Sequence, residues 1–352
     1  MNKRNINIDL IRCIAILSVL SVHFFLNNGF YGEVMSGKKM YVASVMRQGF
    51  MICVPLFIML TGYLMNKKKL SIQYFKGIKK VLMIYILCTI CILMYKVLYL
   101  KEGCSILNVI FNITSYQQYS WYIEMYIGLF LLIPFLNVLY HGLSGKREKQ
   151  MLIIALMILV IVPSMVNILD TAKIPVSDTK IAPAWWTGVY PLLYYYLGAY
   201  LSEFYLSIKL RLTTNLLLII VSVFFSGTFS YWRCYGDRFI WGQWSSYNGF
   251  TTMLVAILVF IFLLRINMEK WPNIVKKVVV KISEVSLPIY LVSWIFDNYT
   301  YPIFNNTISN VKDRFIYYFV IVPFIFICSF VVGCVIDFLY RKIDSIWQLK
   351  QQ

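Results

Sequence analysis

The chain has 352 residues, of which 60% are hydrophobic and 14% charged, with a mean hydropathy of +0.70. That balance excludes an ordinary soluble domain, which is nearer half apolar and a quarter charged. The net charge of +18 lies in short Lys/Arg clusters between apolar runs, a pattern that fits membrane orientation and anionic headgroups and not nucleic acid.

Apolar stretches long enough to cross about 30 Å of hydrocarbon recur along the chain. They predict an all-α polytopic membrane protein with about ten transmembrane helices, at 7–27, 41–65, 81–100, 119–140, 150–169, 187–206, 213–232, 250–267, 283–303 and 315–340. The first run holds Asp9 and Arg12 and lacks a small-residue cleavage pattern, so it reads as a retained span and not a signal peptide. With the N-terminus inside, Lys and Arg favour the inner segments by about two to one, which places both termini in the cytoplasm. The gaps are short, so residues 1–352 read as a single membrane domain with no appended soluble domain.

In the first predicted helix, Arg12 and His23 are eleven residues apart, within about 20° of three full turns and about 16 Å along the axis. Asp9 is three residues before Arg12, a spacing at which the two side chains meet. The helix therefore presents Asp9, Arg12 and His23 on one stripe, which predicts a shared polar cavity in preference to isolated caps and packing residues. The only other histidine, His141, falls in the polar inner loop HGLSGKREKQ and reads as solvated. His23 is then the sole intramembrane imidazole available as a base.

Further polar residues follow in chain order. Arg47 lies in the outer part of the second span, Glu124 about one turn into the fourth, and Asp297 near the outer end of the ninth. A salt bridge between Arg47 and one of those acids is the plain account; a role in holding an acceptor is the other. Lys96, Glu203 and Asp337 lie near span ends, where long side chains reach the interface. The outer segments IAPAWWTGVYP and RCYGDRFIWGQWSSYNGF are rich in Trp, Tyr and Gly. They fit both an interfacial aromatic belt and a mouth that stacks on sugar faces. Cys88 and Cys91 form a CxxC with neither a second pair nor a nearby histidine, so no metal site is expected. Cys104 and Cys234 fall in outer loops and pair only if those loops meet.

Several segments resemble one family. NIDLIR with its R-x10-H spacing, VPLFIMLTGYLM, the basic YFKGIKKVLMIY, WYIEMYIGLFLLIP and SLPIYLVSW are together similar to the membrane acyltransferase 3 family. The resemblance implies transfer of an acyl group, usually acetyl, from cytoplasmic acetyl-CoA to a hydroxyl of a cell-surface polysaccharide or its lipid-linked precursor, in the plasma membrane of a bacterium. It implies His23 as catalytic base, with Glu124 assisting. Arg12, Lys76, Lys79 and Lys80 would hold the CoA phosphates, with Asp9 orienting Arg12 in that cofactor-binding group, and Arg47, Trp121, Tyr122 and Asp297 would face the acceptor. Acyl-CoA, the glycan and membrane lipids are the expected partners. The sequence also departs from the family. Tyr119 and Ser293 stand where some relatives carry histidines, and Glu124 is three residues after Trp121 where many relatives have a glutamate at five, here Tyr126. The competing reading is a secondary transporter or flippase for a sugar or small polar metabolite, with Arg12, Arg47, His23 and Glu124 as substrate or proton sites.

Overall fold

The computed structural model describes residues 4–103, 105–114, 119–167 and 182–349. All its regular elements among the described residues are helices, apart from one isolated β-bridge between Met35 and Tyr235. The chain opens with α1 (Ile6–Asn27), capped by the Asn5 side chain, which accepts from the Asn7 amide. Next come α2 (Gly37–Phe50) and α3 (Cys53–Met65), then the short α4 (Ile72–Lys76) and α5 (Lys79–Leu98). The middle of the chain supplies α6 (Ile106–Thr114), α7 (Trp121–Gly142), α8 (Lys146–Val166) and α9 (Tyr190–Phe204). Then follow α10 (Leu212–Cys234), α11 (Phe250–Arg265) and α12 (Asn273–Glu284). The last elements are α13 (Ser286–Thr307), α14 (Val311–Arg314) and α15 (Tyr318–Leu349).

Among the described residues, seven helical stretches are long and apolar enough to cross a membrane, and α12 with α13 makes an eighth if that bent pair is one span. The difference from the ten predicted spans lies in α9 and α11, of 15 and 16 residues. At 1.5 Å per residue they measure about 22–24 Å, short of the hydrocarbon core. Their apolar character serves packing: Leu193 to Ala199 of α9 are all buried. The predicted second span is also subdivided, because a turn at Met51–Ile52 separates α2 from α3. That turn leaves Pro55 in the first turn of α3, where its missing N–H has no intrahelical partner to lose.

At the centre, α1 packs against α2, α3, α11, α12, α13 and α15. Ile11, Ala15, Ile16, Phe24 and Phe25 are fully buried. The chain's first and last helical ends lie at one end of the bundle, where Arg4, Glu284 and Arg341 meet; this is called the lower end below. The upper end carries Asn27, Phe30 and the 235–249 loop, which the bridge to Met35 ties to the segment after α1.

The tightest interhelical contact joins α3 to α9. A Cβ placed on Gly62 would fall 1.9 Å from the Tyr195 carbonyl oxygen, and one on Gly198 would fall 1.9 Å from that of Met59. Each glycine thus admits the other helix's backbone, as small residues do in close membrane helix pairs. Gly62→Ala and Gly198→Ala should each destabilise the protein by about 1–3 kcal/mol through overpacking. Gly128→Ala, at a helical position with open space around it, should not. Thermal unfolding of the three variants in one detergent checks this.

Candidate active site

The lower end of the site is built around Asp9, 3% exposed in the first turn of α1. Arg4 grips it with both arms, Nε to Oδ2 at 2.7 Å and Nη2 to Oδ1 at 2.9 Å. The Ser283 hydroxyl, near the end of α12, donates to Asp9 Oδ1 at 2.6 Å and accepts from Arg12 Nη1 at 2.7 Å. The predicted Asp9–Arg12 pair is present, at 3.6 Å, but it is the looser contact: Arg4 neutralises the carboxylate and Ser283 holds Arg12. Around this centre Arg4 and Arg341 both bind Glu284, and Arg341 and Lys281 both bind Asp337. Asp9 is therefore shared among partners at close range, which lets a carboxylate sit buried in a bilayer-depth bundle.

Above Arg12 a cavity of about 310 Å³ opens between α1, α3, α7 and α13. Arg12 and His23 both line it, as the stripe predicts, but Asp9, the third residue of that stripe, does not, being taken up by Arg4 and Ser283. Its walls are apolar or hydroxylated: Val19 and Val22 of α1, Phe57, Leu60 and Thr61 of α3, Tyr122 and Tyr126 of α7, and Tyr290 of α13. A wall of this kind, with two basic side chains at separated levels, suits an elongated ligand that needs a cation and a proton acceptor.

At the upper level the imidazole of His23 is only 8% exposed. Its Nδ1 faces Asp297 Oδ2 at 3.5 Å, and Tyr119 donates to that same oxygen at 2.7 Å. The Tyr119 ring lies against the imidazole with centroids 3.7 Å apart. Asn27 donates to the Tyr119 hydroxyl at 3.0 Å and to the His23 carbonyl at 2.8 Å, and Tyr290 donates to the Tyr119 carbonyl. His23 thus has a carboxylate behind it and a ring on one face, and neither ring nitrogen has a hydrogen-bond partner among the described residues; the buried Nδ1 is the one turned to Asp297.

The model of one family, described as an acyltransferase domain (Acyl_transf_3), matches residues 5–334, nearly the whole chain. The chain belongs to the acyltransferase 3 family. It is accordingly read as a multi-pass membrane acyltransferase. It matches no curated protein and no solved structure.

Within this acyltransferase the other predicted site residues divide. Trp121 and Tyr122 line the cavity, and Trp121 stacks on Tyr247 with centroids 5.8 Å apart. Glu124 does not line it. That residue is exposed on the opposite side of α7, because two residues beyond Tyr122 is a rotation of about 200°, and Tyr126 takes the cavity position instead. Asp297 stands behind His23 and not in the acceptor space. Arg47, 1% exposed, also lies outside the cavity lining. It has no carboxylate partner among the described residues. Its guanidinium lies 4.8 Å from the Phe239 ring and beside Tyr31 and Trp241, and it donates to the Ser245 carbonyl at 2.6 Å and to Gln48. Arg47 therefore pins the 235–249 loop to α2.

Lys79 and Lys80 turn towards α15: Lys79 is 3.8 Å from Asp344 and over Trp347, and Lys80 is over Tyr340. Lys76 is exposed, and none of the three lines the cavity. His141 is anchored and not simply solvated, with Nε2 2.8 Å from the Asn66 carbonyl and Nδ1 3.8 Å from Glu203. Cys104 lies outside the described residues; Cys234 is buried and accepts from the Ile240 amide.

Sequence reading missed Arg4, Ser283, Thr61, Tyr247 and Tyr290 as parts of the site. Serine in KISEVSLP carries no charge or periodicity to mark it. Glu124→Gln should leave acyl transfer within about twofold of wild type, being outside the cavity. Arg47→Met should instead strip the Ser245 carbonyl of its donor and lower stability by about 1–3 kcal/mol, read as a fall in melting temperature.

Proposed function

We propose that the protein is an O-acyltransferase that moves an acetyl group from cytoplasmic acetyl-CoA to a hydroxyl of a cell-surface polysaccharide or its lipid-linked precursor, in a bacterial plasma membrane. The observation that carries this reading is the single cavity lined by Arg12 near the lower end and His23 near the upper end. The helical rise puts the two about 16 Å apart along α1, a separation suited to a donor whose phosphates and thioester lie at opposite ends of a long arm.

In this reading the lower end faces the cytoplasm. Arg12, with Nη1 committed to Ser283, offers its remaining guanidinium N–H groups to the CoA phosphates, which charge-assisted hydrogen bonds suit. Lys76 is exposed at the same end and adds positive potential at the entrance. The acceptor enters from the upper side, where Trp121, Tyr122 and Tyr247 supply flat faces for a sugar.

His23 Nε2 takes the proton of the acceptor hydroxyl as its oxygen attacks the thioester carbonyl carbon. The C–S bond then breaks, and the proton passes from the imidazolium to the departing CoA sulfur. Asp297 stands 3.5 Å from Nδ1, close enough to stabilise the imidazolium as it forms, and Nε2 is the nitrogen assigned as the base. Tyr119, bonded to the same carboxylate oxygen, fixes the plane of the pair.

The test is transfer of labelled acetyl from acetyl-CoA to extracted envelope glycan by purified protein in nanodiscs. His23→Ala should lower kcat by about 10²–10⁴ while CoA still binds. Arg12→Ala should raise the KM for acetyl-CoA by about tenfold, in line with loss of a charge-assisted contact of roughly 1.5 kcal/mol. Asp297→Asn should lower kcat with little change in KM. No acetyl transfer to glycan in nanodiscs, together with CoA-independent glycan uptake by proteoliposomes of the same protein, would overturn the enzyme reading in favour of transport.

A further inference from the structure

The helix that supplies Ser283 has an unusual setting. The axis of α12 is bent 72° from that of α13 at Val285, so if α13 crosses the bilayer, α12 lies close to the membrane plane at the lower end. One edge of α12 is packed: Val279 is buried and its carbonyl accepts from the Cys13 thiol at 3.2 Å, while Ser283 meets Arg12 and Asp9. The opposite edge is uncovered. On it Ile274 is 68% and Val278 49% exposed, four residues apart and so on one line.

Lysine flanks that apolar line. Lys277 is exposed, about 60° around the helix from Ile274, and Lys270 is exposed on the approach to the helix beside the half-exposed Trp271. Neither lysine has an acidic partner among the described residues, and the acids at the far end are engaged: Glu284 by Arg4 and Arg341, Asp337 by Lys281 and Arg341. Only Glu269 adds negative charge to the approach. An apolar edge beside free lysines, on a helix lying in the plane, matches the interface between acyl chains and anionic headgroups.

We infer that α12 is a surface-seated helix that binds anionic phospholipid through Lys270 and Lys277, with Ile274 and Val278 in the acyl region, and that this contact steadies Ser283 and thereby Arg12. The second half of the inference rests on the acyltransferase reading above. Headgroup attraction holds the exposed edge of α12 down, and the packed edge transmits that position to the guanidinium through one hydroxyl.

Hydrogen exchange over residues 273–284 reads the first half without any turnover. In nanodiscs of phosphatidylcholine, protection should rise as phosphatidylglycerol is added. The Lys270→Gln/Lys277→Gln variant should need a mole fraction about fivefold higher or more for half-maximal protection, since each lysine near an anionic surface is worth about a factor of five. The charge-matched Lys38→Gln/Lys101→Gln variant should titrate as wild type, and soluble glycerol 3-phosphate should give no protection. Equal protection in both lipids, a wild-type titration by the first variant, or an equal shift by the second would overturn lipid binding by α12. The second half predicts a lower KM for acetyl-CoA in phosphatidylglycerol with kcat unchanged, lost in Lys270→Gln/Lys277→Gln. Protection without that KM change would overturn the coupling to Arg12 alone.

Discussion

Ionised groups at bilayer depth must be enclosed and partnered, and that requirement organises this molecule. An aspartate, an arginine and a histidine on α1 cannot face lipid at acceptable cost. The helix is therefore wrapped by six others, and Arg12 and His23 of its polar stripe look into a cavity. The Arg4–Asp9–Ser283–Arg12 chain is the clearest expression. The carboxylate collects a second cation and a hydroxyl, and Arg12 is left with donors to spare for a ligand.

The two ends of the stripe are handled differently. At the lower end the charges are numerous and interlinked, tying α1, α12 and α15 together through carboxylates that each serve more than one base. At the upper end a single carboxylate is enclosed with aromatic rings, and the oxygen that accepts from Tyr119 also faces His23 at 3.5 Å. The first arrangement supplies positive charge. The second encloses one imidazole between a carboxylate and the Tyr119 ring.

Much of this was legible in the sequence. Arg12 and His23 share a face because eleven residues close nearly three turns, and their common cavity follows from that alone. The all-α class followed from apolar run lengths. The misplacements have equally local causes. Glu124 stands out in the sequence for its charge, but its position on α7, about 160° from that of Tyr126, turns it out of the cavity. For Arg47 the sequence suggests an acid or an acceptor as partner; three aromatic rings and a carbonyl take that place. Lys79 and Lys80 read as a phosphate cluster along the chain, while the folded chain brings α15 alongside them. Ser283 and Tyr290 could not be singled out, since their importance arises from what α1 and α7 bring to them.

The seating of α3 on α9 has a consequence for the size of the ligand space. At Gly62 and Gly198 the helices touch backbone to backbone, so the separation of their axes is not adjustable by rotamer changes. Phe57, Leu60 and Thr61, on the same helix as Gly62, form one wall of the cavity. That wall has a rigid backing. Volume added to one of its side chains is taken from the bore, because α3 has nowhere to recede. Two glycines outside the lining thus act as the stop of a gauge, and the residues in front of them set its calibre.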